Sequence, residues 1–429
     1  FIRIDDGIID KIAPFEVRDF ICQYIATNTK DPLVHEYFNS KIDVVLPDKK
    51  LERLQIISDE FSKFERGLQR TYYNNGQVEI TAESITPNKP ILNIWRSRIV
   101  PRNFKRVPVI KSITRDVDGF HVEFTDDAHK CEFLQYLLNT SNNYYPHDAE
   151  RDITREEQLE WVHHLVNKVT TVGYLLCDWK PANERKVVVV QDHLMTEVGQ
   201  SHGGAGKSLI ADAIGRIKSQ VTIDGGNIQG TDQSLFSSVS KATRSILIDD
   251  VRPNFNLKDY FATITGNMSV NPKGKDRYNI PVDESPKIII TTNHTIKGSS
   301  ESSIRRRISY MEFSNWYNAD HSPVDDFHHM LFDDWDDYQW TLFDNLMAEC
   351  VMYYLRSFSE VWGKEGQGHV PPPMEMIEKR SLRQEMSESL LQWAEERYDP
   401  SGSHLNEREK RNDLLKELFE FAGNTGHGV

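Results

Sequence analysis

The chain reads as an α/β protein, a parallel sheet built round a phosphate-binding loop, flanked by an N-terminal mixed α+β region and a C-terminal helical region. Three observations predict it. Short apolar runs, VVVV at 187–190, VTI at 221–223, SILI at 245–248 and KIIITT at 287–292, alternate with helical pattern such as LIADAIGRI at 209–217. Strands that are apolar on both faces belong to a parallel sheet covered on both sides. A glycine-rich turn, GGAGKS at 203–208, stands between the first strand and the first helix of that series, where phosphates are usually held. On either side of this core the hydrophobic period changes, which marks separate regions.

The whole chain bounds the answer. Its 429 residues exceed the ~100–200 of one compact unit, so two to four domains are expected. The pattern divides into a helical stretch at 1–72, a small β-rich region at 73–150, a helical lead-in at 151–185, the ATPase-like core at 186–318 and a helical region at 319–429. With 38% hydrophobic and 27% charged residues the composition is globular rather than disordered. No apolar run reaches the ~18–20 residues of a membrane span. Phe1 and the sequence after it carry no secretory signal, and a piece of a longer protein is expected. Cys22, Cys131, Cys177 and Cys350 are scattered without a CxxC pair, which points to buried thiols in a reducing cytosol and to neither a zinc knuckle nor a disulfide framework. The net charge of -14 opposes general coating of DNA, so a nucleic-acid site must be local.

From Ala13 to about Thr71 the spacing of Phe15, Val17, Phe20, Ile21 and Tyr24, then Leu51, Leu54, Ile56 and Ile57, is helical. Between 74 and 126 short β-prone runs are punctuated by NNG at 74–76 and DG at 118–119, both hairpin turns. Within them WRSRIVPRNFKRVPVIK sets Arg96, Arg98, Arg102, Lys105, Arg106 and Lys111 beside Trp95 and Phe104. That is either a single-strand-binding strip or the solvated face of an amphipathic strand; charge runs favour the solvated face. Thr154 with Glu157 forms a capping box before an apolar stripe of Val162, Leu165, Val166 and Val169. After Phe313 the pattern is helical again, in LFDNLMAECVMYYL, SESLLQWAEERY and EREKRNDLLKELFEF, broken by the prolines at 371–373; the last two helices could open a winged helix. The aspartates 325, 326, 333, 334, 336 and 337 read as solvated surface. The adjacent pairs His163–His164 and His328–His329 cannot both turn to one metal and read as ordinary helix residues.

In the glycine-rich turn, Gly203, Gly204, Ala205 and Gly206 offer backbone N–H groups to phosphates, Lys207 adds an ammonium, and Ser208 a hydroxyl for Mg²⁺. The helix that starts there turns its positive end to the anion. Against G-x-x-x-x-G-K-[ST], Ser201 stands in place of the first glycine, after an excursion at 193–200. The strand SILI ends in Asp249 and Asp250: Asp249 suits a Mg²⁺ shell reached through water, Asp250 the polarising of an attacking water. KIIITTN ends in Asn293, either a γ-phosphate sensor or a turn former. Arg305, Arg306 and Arg307 together offer an arginine finger or a surface ion-pair cluster.

The order GGAGKS, SILIDDV, ITGNMSVNPKGKDRYNIP, KIIITTNH, RRRISYMEF resembles the superfamily 3 helicases within the AAA+ ATPases, and among them the helicase part of phage and mobile-element primase-helicases. The resemblance covers about 186–316. It implies an AAA+ core using ATP and Mg²⁺, with Lys207, Asp249, Asp250 and Asn293 in catalysis and Arg306 or Arg307 as the finger. It also implies a ring of identical subunits, a hexamer moving 3′ to 5′ on single-stranded DNA, with Lys273, Lys275 and Arg277 lining its channel, and a primase domain or partner. The PKGKDR turn presents point charges between Val270 and Tyr278, as a channel hairpin or as a plain exposed turn. Two other readings stand beside this one. The first is a nucleotide-gated DNA-binding scaffold or origin-recognition module without unwinding, which Ser201 favours; the second is a protein-directed motor, which a cationic rather than aromatic loop disfavours.

Overall fold

The fold is known from a computed structural model that describes every residue other than 1, 6, 52–63, 91–92, 145–151, 181–184, 194–203, 229–234, 253–254, 275, 295, 297–304, 359–369, 376, 379–387, 399–409 and 426–429. A hairpin of β1 (Ile2–Asp5) and β2 (Ile8–Lys11) precedes α1 (Pro14–Asn28) and α2 (Pro32–Val45). Both helices begin on proline, whose missing N–H costs nothing at the first position. After α3 (Asp48–Leu51) comes β3 (Gln69–Tyr73), which holds Thr71 in a strand rather than a helix. It pairs with β4 (Gly76–Ile80) across the expected turn, and the sheet is completed by β5 (Ile85–Lys89) and, after β6 (Ile94–Trp95), by β7 (Ile99–Val100). The hairpin of β8 (Ile110–Arg115) and β9 (Phe120–Phe124) turns at the expected Asp118 and Gly119, whose N–H groups donate to Asp116 Oδ1 at 2.9 and 3.1 Å.

Then follow α4 (Glu132–Ser141) and α5 (Arg155–Leu176), the latter opened by the Thr154–Glu157 capping box with Leu165, Val166 and Val169 buried. The core proper runs β10 (Val187–Asp192), α6 (Lys207–Gly215), β11 (Gln220–Asp224), β12 (Ser245–Asp249), α7 (Phe261–Thr265), the hairpin β13 (Met268–Val270) and β14 (Tyr278–Ile280), β15 (Lys287–Thr291) and β16 (Ile308–Phe313). Beyond it lie α8 (Pro323–Phe327), α9 (Asp337–Arg356), α10 (Glu388–Arg397) and α11 (Arg411–Thr425).

The central sheet has five parallel strands in the order β11-β12-β15-β10-β16. The sequence pattern anticipated four of them; β16 hid inside the arginine-led segment RRRISYMEF. Alternate residues divide between two cores, as strand geometry requires. Val188, Val190, Leu247, Ile289, Met311 and Phe313 face α5, α6 and α9, whereas Val187, Val189, Ile246, Ile248, Ile288, Ile290, Ile308 and Tyr310 face Phe236, Val239, Ile264, Met268, Val270 and Ile280. Long helices therefore cover one face, and the other is closed by α7 and the β13–β14 hairpin. The VTI strand is half-exposed because β11 is the sheet edge.

Helices α5 and α9 meet closely at Gly173. A Cβ there would lie 2.0 Å from the carbonyl oxygen of Cys350 and 2.7 Å from Cβ of Tyr354. Gly173→Ala is expected to force the helices apart and to cost about 1–3 kcal/mol, the usual penalty of overpacking, read as a lower urea midpoint.

The basic stretch after Trp95 is a solvated face only in part: Arg96, Lys105 and Lys111 are exposed, and the other three cations are turned onto the protein. Arg98 pairs with buried Asp178 at 2.7 Å, and Arg102 forks onto Asp344 of α9 at 2.7 and 3.1 Å while lying 4.1 Å over the Trp340 ring. Arg106 donates to Asn345 and Glu349, both at 2.8 Å. Arg102 and Arg106 thus fasten the small β region to α9, and Arg98 fastens it to the segment after α5. The aspartates read as surface are likewise partly structural: Asp326 accepts from Asn139 at 3.0 Å, Trp316 at 2.9 Å and His321 at 2.8 Å. His328 is not a helix residue; it terminates α8 in a left-handed conformation, φ 61°, and His329 follows it. Cys22, Cys131, Cys177 and Cys350 are free thiols, the last three buried. Among the described residues no helix is long and apolar enough to cross a membrane.

Candidate functional site

In an open parallel sheet, ligands bind beyond the carboxyl ends of the strands where the strand order reverses. Here the chain leaves β10 for β11 on one side, and later crosses from β15 over β10 to β16 on the other. The crevice at the carboxyl ends of β10 and β15 is therefore the switch point. Asp192 ends β10, Asp249 ends β12, and Asn293 follows β15.

Two glycines shape the described part of the turn that enters α6. Gly204 (φ 104°) and Gly206 (φ 78°) occupy the left-handed region open to glycine, and Gly206 is the N-cap of α6. Among the described residues no side chain caps this helix, and no acidic residue lies in its first turn to meet its leading N–H groups and positive dipole end. Tyr136 holds the turn from below, donating its hydroxyl to the Gly206 carbonyl at 2.7 Å with its ring stacked on Tyr317. Ala205 is buried and Ser208 is exposed on the first turn.

The Lys207 ammonium lies at the switch point. It donates to both Asp192 oxygens, at 2.7 and 2.8 Å, and to Asn293 Oδ1 at 2.7 Å. The Lys207 and Asp192 side chains are only 10% and 17% exposed, so the pair is a strong, charge-assisted one. Asn293 thus meets the same ammonium as Asp192. Asp192 was not read from the sequence, although VVVVQD carries the signal that singled out SILIDD, a carboxylate at a buried strand's end.

One strand over, Asp249 Oδ1 accepts from the Thr291 hydroxyl at 2.6 Å, and the same hydroxyl accepts from the Asp250 N–H at 2.8 Å. Thr291 therefore fixes the rotamer of Asp249 and the turn after it, where Asp250 is left-handed at φ 51° and exposed. Asp212 on α6 also approaches. Its carboxyl is pushed above the usual range by burial, with Arg216 opposing and the charge of Asp249 adding. The acids at this edge form one electrostatic unit.

The arginines do not join that site within one chain. Arg305, Arg306 and Arg307 precede β16, and the Arg307 carbonyl accepts from Val187 N at 2.7 Å at the start of β10. The sheet edge there is the opposite one, a strand length of roughly 17 Å away at ~3.3 Å per residue. Arg305 pairs with Glu378 at 2.5 Å. The β13–β14 hairpin is rooted in the second core by Met268, Val270 and Ile280 and by the Tyr278 hydroxyl on the Val239 carbonyl at 2.9 Å. Its tip holds Lys273, exposed, and Gly274 at φ 72°. Arg277 is exposed but bends back to donate to Ser269 Oγ at 2.6 Å. Gly203, Ser201, Lys275 and the excursion at 194–200 lie outside the described residues.

Residues 200–307, the span from the phosphate loop to the arginines, match a family described as "Family of unknown function (DUF5906)". No curated protein matches the chain. Among solved structures, the chain is similar to the A form apo structure of the NrS-1 C-terminal region, at 13% identity and a TM-score of 0.35, over 85% of this chain and 88% of that one. It is also similar to JCV helicase bound to a thiazolopyridinyl phenoxyphenyl acetamide, at 10% identity and a TM-score of 0.21, over 64% of this chain and 73% of that one.

Proposed function

We propose that this chain is an ATP-driven ring helicase of the superfamily 3, AAA+ type, translocating on single-stranded DNA in phage or mobile-element replication. One observation carries the reading: the ammonium of Lys207 meets Asn293 at the uncapped start of α6, at the switch point of a parallel sheet. A lysine, an amide and free helix N–H groups are the donors that a triphosphate's anionic end requires.

Ser208 and Asp249 fit Mg²⁺, since both present hard oxygen at the same edge and Asp249 is already oriented by Thr291. Held there by Ser208 and Asp249, Mg²⁺ would supply positive charge to offset the negative charge of a triphosphate. Lys207 neutralises the phosphate charge from the other side, Gly203 to Gly206 cradle it, and Asp250 orients and polarises the attacking water. Asn293 reports whether the last phosphate is present. Arg306 or Arg307, at the far sheet edge, serves a neighbouring subunit's site, which makes a ring, a hexamer by family resemblance, the working unit. Lys273, at the hairpin tip, holds the DNA backbone together with Lys275 and Arg277.

Stimulation of the steady-state ATPase by single-stranded DNA tests this. Wild type is expected to turn over several-fold faster with DNA, and Lys273→Ala to keep the basal rate and lose the stimulation. Turnover that ignores DNA in the wild type would instead support the scaffold reading.

Asp192 makes a separate prediction. An incoming phosphate has to draw Lys207 away from this carboxylate. Asp192→Asn is expected to tighten ATP binding by about tenfold, the worth of one charge-assisted bond, in a fluorescent-nucleotide titration. Unchanged or weaker binding would mean that Asp192 does not compete for Lys207.

A further inference from the structure

Behind the phosphate site, on the face of the sheet covered by α5, three residues distant in sequence converge. One ring nitrogen each of His164 and His193 and a carboxylate oxygen of Glu312 lie within 4.8 Å of one another. His164 belongs to α5, His193 follows β10 directly, and Glu312 is on β16 beside it. His193 Nδ1 is 3.2 Å from Glu312 Oε2. Metal–donor bonds of ~2.0–2.1 Å set tetrahedral donor edges at roughly 3.3 Å, so this pair already has the separation of two ligands of one ion.

His164 supplies the independent observation. Its side chain is 1% exposed, yet among the described residues Nδ1 has no hydrogen-bond partner. The other nitrogen, Nε2, lies 2.9 Å from the Asn143 amide and 3.7 Å from Glu160 Oε1, whose carboxylate also receives the Tyr144 hydroxyl. Asn143 Nδ2 is the atom that faces Nε2; turned about, the same amide presents its oxygen to Nε2–H and leaves Nδ1 to bind, the usual arrangement of a metal-bound histidine. Glu312 is prepared in the same way. Its Oε1 accepts from Gln191 at 3.2 Å and its side chain is fully buried. The one ammonium nearby, Lys168, points to main-chain oxygens of Thr140 at 3.1 Å and Glu312 at 2.6 Å rather than to the carboxylate.

We propose that His164, His193 and Glu312 bind a divalent transition-metal ion of the zinc class, which ties the residue leading into the phosphate loop to α5 and β16. Two imidazoles select zinc or cobalt over Mg²⁺ and Ca²⁺, which prefer oxygen donors. The site is thus distinct from the one proposed for Mg²⁺ at Ser208 and Asp249, and does not rest on the helicase reading.

Cobalt and zinc binding to the metal-stripped 429-residue chain tests the assignment. Co²⁺ is expected to give the visible bands of a low-symmetry four-coordinate site, and competing Zn²⁺ to abolish them with a stoichiometry near one. His193→Gln and Glu312→Gln are each expected to remove the bands, Asn143→Ala to weaken binding by roughly 10–100-fold, and the neighbouring His163→Gln to leave it unchanged. His193 is at the rim of the core, so His193→Gln decides the matter even if a buried variant fails to fold. Absence of bands in the wild type, or bands that survive in His193→Gln, overturns the proposal.

Discussion

The Lys207→Ala chain is expected to lose ATP turnover by about 10²–10³-fold, the range seen when one preorganised donor to developing charge is removed. The lysine ammonium contacts both Asp192 and Asn293, and alanine removes that charge from beside the helix N–H groups. Affinity for ATP should also fall, because the deleted charge acts on bound substrate as well as on the transition state. Asp192 is then left without its cation, but it lies at the rim of the sheet, 17% exposed, where water can solvate it. The far-ultraviolet circular dichroism should therefore match wild type. Turnover and affinity both unchanged in a folded Lys207→Ala protein would remove the phosphate-site reading altogether.

Glu349→Ala is expected to destabilise the chain by about 3–5 kcal/mol, the cost of breaking a buried ion pair on one side. The carboxylate is fully buried and accepts from Arg106 at 2.8 Å, from Ile110 N at 2.7 Å and from Val109 N at 3.2 Å. Burial pushes its carboxyl above the usual range, while the Ile110 N–H and the Arg106 guanidinium pull the other way. Alanine strands two buried N–H groups and an arginine at once, and opens a cavity between α9 and β8. The urea midpoint should fall well below that of Gly173→Ala. Because this junction lies on the helix-covered face, remote from the hairpin tip, residual folded protein should retain its response to DNA. A midpoint within experimental error of wild type would show that water, rather than Glu349, satisfies these donors.

Much of the core was legible because its signals are local. The runs at 187–190, 246–248 and 288–290 are apolar at every position, as in a sheet covered on both faces, and GGAGKS carries its own turn chemistry. Asp249 and Asn293 could be named because each ends such a strand. The role of the arginines between Trp95 and Lys111 was not legible: Arg102 and Arg106 find Asp344, Asn345 and Glu349 more than two hundred residues away, and no periodicity records that distance. Asp192 carried the right local signal and was passed over. Tyr136, which props the Gly206 carbonyl, had none.

Residue pattern along the chain was sufficient for the kind of strands, the loop between the first of them and its helix, and the acids and amide at strand ends, since each depends on neighbours a few positions away. Strand order required the folded molecule. Only the placement of β10 between β15 and β16 brings Lys207 to Asp192 and Asn293, sends Arg305 to Arg307 to the opposite sheet edge, and sets His193 beside Glu312. The physical reason is that such contacts are selected by burial and pairing of whole elements, whose free energy is shared among many residues and is written at no one position.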